Sequence, residues 1–433
     1  MAKQSSDPPA PARGTAAFQS RNFLRYQIAR LLAIVGAEAQ AVAVAWQVYQ
    51  ITHRALDLGY TGLALFLPSI LFLLPAGHVA DRYDRRHVVI LCYSVQTLFS
   101  GALLWLSWHG VHSILPIYAL LFGIGSGRAF SAPASQALLP HLVPRNLWVN
   151  AVTWGSTIFL IAKVTGPAVG GILFTLPLGN ACSGPIAVYM FTMVTLLLFV
   201  GLLVSVDVKI GRSEHASLSL HTLLAGFRYV FHTKVLLGAA SLDLFAVLLG
   251  GATALLPIYA QDILHAGPRG LGALRAAPAV GSLCVALYLA WRPAKRGAGV
   301  LMFTGAAIFG AATIVFGLSR SIPLSLAALF ILGAADMASV VVRSSVIQLA
   351  TPDSMRGRVG AVNSLFIGAS NELGEFESGV TAHWFGTVRA VVLGGIGSLM
   401  VTGIWWMIFP ELRNAGDLRS LTAQKPEPVS IGK

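Results

Sequence analysis

The chain has 433 residues, 55% of them hydrophobic and only 11% charged. Soluble domains carry about 25% charged residues, so soluble multidomain, disordered and fibrous proteins are excluded. Three scattered cysteines (Cys92, Cys182, Cys284) exclude a disulfide scaffold. What remains is an all-α polytopic membrane protein.

Residues 1–20 are polar and rich in Pro and Ala, without the compact apolar core and small-residue site of a cleavable signal, and are expected to form a disordered tail. Twelve apolar segments follow, near 24–51, 57–80, 88–109, 113–139, 147–177, 186–206, 234–262, 268–291, 298–318, 323–350, 357–385 and 390–410. Each reaches the ~20 residues that a helix needs to cross about 30 Å of hydrocarbon. An ionisable residue at such depth is costly and marks a functional hypothesis. Span one carries Glu38, and span two ends in a loop with Asp81, Arg82, Arg85 and Arg86. Span four carries Arg128 and span five Lys163, Trp154, Phe159 and a Gly166-Pro167-x-x-Gly170-Gly171 run. Residues 207–233 form the longest connection, whose second part is amphipathic and suits a helix on the membrane surface linking two halves, 21–206 and 234–412. Span seven holds Asp243 and Tyr259, and span ten holds Asp336. Span eleven concentrates Asn371, Glu372, Glu375 and Glu377 within seven residues. At 100° per residue Asn371, Glu372 and Glu375 share one arc while Glu377 points away. Trp405 and Trp406 close span twelve as an interfacial belt, and 413–433 is a second tail.

Lys and Arg fall mainly on one side. With the N-terminus inside, the tails and inside loops hold twenty-one of them and the outside loops only Arg54, Arg269, Arg320 and Arg389. This bias places both termini in the cytoplasm. It also makes the surplus of 30 Lys+Arg over 17 Asp+Glu a topology signal instead of a nucleic-acid footprint. A shift of 208 residues brings Gly125 onto Gly333, Arg128 onto Asp336, Gly166 onto Gly374 and Gly171 onto Gly379. Such a parallel duplication suits a transporter whose halves rock about a central site.

The loop Gly77-x-x-x-Asp81-Arg82-x-x-Arg85-Arg86 resembles the signature of the major facilitator superfamily. Gly166-Pro167-x-x-Gly170-Gly171 resembles the antiporter motif of its drug:proton exporters. The stretch from Thr351 through Arg356 and Arg358 to Gly379 is similar to the enterobactin- and macrolide-exporter branch. The resemblance covers about residues 20–412. The second-half copy of the loop, 292–296, lacks an acidic residue and departs from the pattern. The resemblance implies twelve helices in two six-helix halves, and a proton antiporter that exports siderophore- or drug-like molecules across a bacterial inner membrane.

On this reading Asp81 with Arg82, Arg85 and Arg86 is a conformational latch, since an Arg–carboxylate fork between helices can lock one packing. A solvated basic loop is the plainer alternative. Gly166, Pro167, Gly170 and Gly171 bend or closely pack span five. Glu372 and Glu375, then Glu38 and Asp243, are the proton-coupling candidates; inter-helix ion pairs are the structural alternative. Arg128, Lys163, Asp336, Asn371, Trp154, Phe159 and Tyr259 are candidates for the substrate cavity, and Arg128 and Asp336 could also pair across the halves. No Walker-type loop, H-E-x-x-H, C-x-x-C or G-x-S-x-G occurs, so neither ATP-driven transport nor an enzyme is expected, nor any cofactor or metal. The expected partners are protons, a small substrate and lipid, with a monomer as the working unit. A facilitator or importer of the same fold is the alternative function.

Overall fold

A computed structural model describes residues 14–111, 113–176, 184–206, 220–292, 297–352 and 355–414, leaving out the side chains of 81, 140, 145 and 220–223. Twelve long helices or broken helices run in chain order. They are α1 (Arg21–Thr52), α2 with α3 (Ala55–Leu71, Leu73–Arg82), α4 (Arg85–Trp108), α5 (Leu115–Leu138), α6 (Trp148–Thr175) and α7 (Pro185–Val204). After a connecting helix α8 (Leu220–His232) come α9 (Lys234–Leu249) with its extension α10 (Leu256–Ile258), then α11 (Gly267–Trp291), α12 (Ala298–Leu318), α13 (Ile322–Ala350), α14 (Arg356–Phe385) and α15 (Thr387–Ile408). A last turn, α16 (Pro410–Arg413), closes the described chain. Among the described residues nine spans are apolar enough to cross a membrane, eight of them single helices and one the broken stretch Lys234–Ile263, and α2 with α3 makes a tenth bent by 57°. Pro68, which lacks a backbone donor, sits one turn before that bend. The remaining two, α5 and α14, are long enough to cross but carry the charges and small polar residues that line the interior.

Since α1 to α7 form six passes, the start of α1, helix α8 and α16 all lie at one face, here the near face; the other is the far face. The broken seventh pass is the least regular. Helix α9 ends at Gly250-Gly251, and the chain then runs through a 3₁₀ turn, α10 and a π turn at Tyr259–Ile263.

Two of the three glycine pairs related by the 208-residue shift make the same kind of contact in their own halves. Gly125 lies on the Leu65 carbonyl of α2, and Gly333 on the Pro278 carbonyl of α11. Gly166 packs on Val35 and Glu38 of α1, and Gly374 on Val247 and Leu248 of α9. Gly171 and Gly379 instead form the seam between halves. A Cβ on Gly171 would stand 2.7 Å from the Pro268 carbonyl oxygen and 3.1 Å from Gly272 Cα, and one on Gly379 would stand 2.9 Å from Gly59 Cα. Both crossings are on the far side, where the ends of α6 and α14 meet the starts of α11 and α2. Backbone cannot yield to a side chain there, so Gly171→Val should wedge the far seam apart. Distance measurements between spin labels on the two halves should then show a lengthened far-face separation.

Part of the N-terminal tail is ordered. Ala16–Gln19 form a 3₁₀ turn that docks on α6: Ala17 N–H donates to Asn150 Oδ1, and the Gly14 carbonyl accepts from Asn150 Nδ2 and Trp154 Nε1. The α8 helix packs Val230 and Phe227 against the second half, with Tyr229 Oη donating to the Ala350 carbonyl.

Candidate functional site

Helices α1, α2, α5, α11 and α14 surround a central cavity of about 540 Å³, counting the part open to solvent. Its wall is mostly small and apolar (Ala37, Ala41, Val44, Ala45, Leu58, Leu65), with a polar side made by Gln40, Thr61, Arg128, Arg275 and Glu375. The small residues follow from close packing at the seam: Gly62 of α2 lies directly against the Glu375 side chain. Beside the cavity Lys163 Nζ meets Glu38 Oε1 at 2.7 Å, with the lysine side chain 42% and the glutamate 18% exposed. The same ammonium stands 5.7 Å from the centre of the Phe159 ring.

Glu38, Arg128, Lys163, Arg275, Glu372 and Glu375 therefore form one electrostatic group. Arg275 and Lys163 act on Glu375; Glu375, Arg128, Lys163 and Arg275 act on Glu372; and Lys163, Arg275 and Arg128 act on Glu38. The structure brings together Glu38, Arg128, Lys163, Phe159, Glu372 and Glu375 from the sequence candidates. Arg275, a third of the way along α11, is not among the sequence candidates. The rule that singles out intramembrane charges applies to it, as it does to Arg30 and Arg343.

Other candidates stand apart. Asp243 is 7% exposed and ion-paired with Arg343, itself 2% exposed, between α9 and α13 in the near half of the bundle. No ion pair joins Arg128 to Asp336 among the described residues; Arg128 faces the glutamates instead. Asn371 is exposed, and its Nδ2 donates to the Ile367 carbonyl of its own helix. Glu377 accepts from Thr381 Oγ1 at 2.6 Å, turned away from the group as its helical angle requires. Tyr259 is fully buried, its ring tilted against that of Phe316, with its hydroxyl donating to the Gly317 carbonyl. Trp154 holds the N-terminal turn and stacks edge-on against Phe18. Trp405 is partly inside the bundle, donating from Nε1 to Ser241 Oγ.

At the near face Asp84 caps α4 by accepting from Arg86 and His87 backbone N–H groups. Arg85 reaches the Ala137 carbonyl and His141, and Arg86 the Leu203 and Val204 carbonyls. Both arginines thus tie α4 to α5 and α7 of their own half. The Asp81 side chain lies outside the described residues. Gly166 and Gly170 face α1, while Gly171 faces α11 across the seam.

Residues 12–431 match the profile of a family described as transmembrane secretion effector. The chain belongs to that family, within the major facilitator superfamily. It is 27% identical to the multidrug efflux pump Tap of Mycolicibacterium fortuitum, over 89% of this chain and 95% of that protein. It is equally 27% identical to the enterobactin exporter EntS of Citrobacter koseri, over 94% of each. The staphyloferrin A transporter of Staphylococcus aureus is 24% identical over 86% of this chain and 92% of that one. Among solved structures, a bacterial homologue of the lysosomal transporter Spinster in an inward-facing, occupied conformation superposes with TM-score 0.71 at 15% identity, covering 92% of this chain and 98% of that one. A bacterial homologue of ferroportin gives 0.63 at 18% identity, covering 89% and 98%. The family and these relatives are transporters, not enzymes, and the twelve-pass fold agrees with them.

Proposed function

We propose that this protein exports small amphiphilic molecules of siderophore or drug type by proton antiport with alternating access, from the cytoplasm across a bacterial inner membrane. The observation that carries the proposal is the placement of Glu375 in the cavity wall at the seam between halves, with Arg275 and Arg128 beside it and Glu372 one turn away. Exchange requires substrate and proton to compete for one group. A buried carboxylate meets that requirement, because a substrate donor and a proton bind the same oxygens. The mixed wall suits an amphiphile: alanine and leucine bury its apolar part, and the charged group fixes its polar end. The names of the relatives support export of siderophores or drugs. The bias of Lys and Arg toward the near face supports that face as cytoplasmic, with both termini inside.

Glu375 and Glu372 are the proposed proton carriers, with Glu38 modulated by its lysine partner Lys163. Arg128, Arg275 and Phe159 are proposed to contact substrate. The Asp81, Arg82, Arg85 and Arg86 loop is proposed as the latch of the opposite, near-closed state. One chain holds the whole cavity, so the monomer suffices.

The test is a proteoliposome assay with an imposed pH gradient and a panel of metal-free siderophores and lipophilic drugs. Antiport accumulates a substrate in the acidic compartment against its own gradient. Accumulation in the alkaline compartment, or equilibration alone, would contradict the proposal.

A further inference from the structure

Three hydrogen bonds with both partners described run between the two halves. Tyr49 Oη of α1 donates to Asp262, on the π turn that ends the seventh pass. Arg269 Nε, at the start of α11, donates to Thr175 Oγ1, at the end of α6, at 2.6 Å. The third, Arg275 Nη1 to the Ala41 carbonyl at 3.5 Å, is long and belongs to the cavity. The first two are at the far ends of their helices, and Arg269–Thr175 adjoins the Gly171–Gly272 crossing. The paired rings of Tyr60 and Phe376, 5.7 Å apart, lie at the Gly59–Gly379 crossing on the other side of the bundle. Among the described residues no comparable seam joins α5 or α6 to α13 or α14 at the near face.

The far face is therefore shut by two kinds of contact. Glycine crossings set how closely the backbones approach, and they change only if the helices separate. The hydrogen bonds are side-chain links that must break before separation begins. Tyr49 is buried while Asp262 is exposed, so the bond has a rigid donor and an acceptor on an irregular turn. That turn is joined to α9 only through Gly250-Gly251, the 3₁₀ turn and α10, a connection weaker than a continuous helix.

We infer that Tyr49–Asp262 and Thr175–Arg269 are a two-point latch that holds the far face closed, and that both bonds break when the cavity opens to that side. The inference is independent of substrate and of proton coupling, since it rests on the seam alone.

Tyr49→Phe and Thr175→Val each delete one hydroxyl with little change of shape. Tyr118→Phe is the matched control: its hydroxyl donates to Asp57 Oδ1 at 3.0 Å inside one half and crosses no seam. Spin labels at Ser113→Cys and Arg320→Cys, on exposed far-face loops of the two halves, report the separation by double electron–electron resonance in nanodiscs, in a background where Cys92, Cys182 and Cys284 are replaced by alanine. Each latch variant should raise the ratio of far-open to far-closed molecules about tenfold, since a bond to a charged partner contributes on that scale. Tyr118→Phe should leave the ratio at its wild-type value. The latch is overturned if either Tyr49→Phe or Thr175→Val stays at the level of Tyr118→Phe.

Discussion

Asp243→Ala should be among the most destabilising single changes in the chain, costing about 3–5 kcal/mol. The change strands the Arg343 guanidinium at 2% exposure, where its Nε already has no hydrogen-bond partner. Removing both charges together should recover most of that loss. Asp243→Leu combined with Arg343→Met replaces the pair by apolar groups of similar volume, which is often neutral or better. Denaturant unfolding of the purified protein in detergent measures both. If Asp243→Ala unfolds at the wild-type midpoint, the pair does not hold α9 to α13, and Asp243 returns as a coupling candidate.

The expectation for Glu375→Gln has the opposite character. Glutamine keeps the shape and the hydrogen-bonding capacity of the side chain but cannot titrate. Gly62 packs against this side chain, so an isosteric change preserves the seam. Folding and stability should stay near wild type while proton-driven accumulation falls at least tenfold. The two variants thus separate a structural carboxylate from a transporting one, although each is a single acid at similar cost in the bilayer.

Length and hydropathy made the helical passes readable: nine or ten of the twelve expected spans are apolar enough to cross, and the expected positions of the other two are occupied by the long helices α5 and α14, consistent with twelve. The glycine register at 208 residues was equally readable, since close backbone approach admits no other residue and was retained in both halves. Partner choice was not readable. Asp243 and Arg343 lie a hundred residues apart, and nothing local says that α9 and α13 meet at that depth. Arg128 and Asp336 are symmetry mates in sequence, yet a two-fold arrangement gives each the surroundings of its own half, so matching positions need not touch. Trp154 and Tyr259 showed a further limit. An aromatic residue with a polar tip suits a cavity or a buried hydrogen bond equally. Only the fold reveals that the N-terminal turn returns to Trp154, and that the Gly317 carbonyl waits for Tyr259. Arg275 is within reach of the charge rule, and it matters because α11 packs against α6 and α1 and carries this side chain to the cavity wall that Glu375 also lines.

Substrate-dependent proton movement is the most direct measure of whether the cavity carboxylates couple transport. It is followed with a pH-sensitive dye inside proteoliposomes holding the wild type, Glu375→Gln or Glu372→Gln, each confirmed as folded and inserted. The account predicts a substrate-dependent proton flux in the wild type that is lost in at least one of the two variants, with substrate binding retained. Wild-type flux in both variants would contradict it.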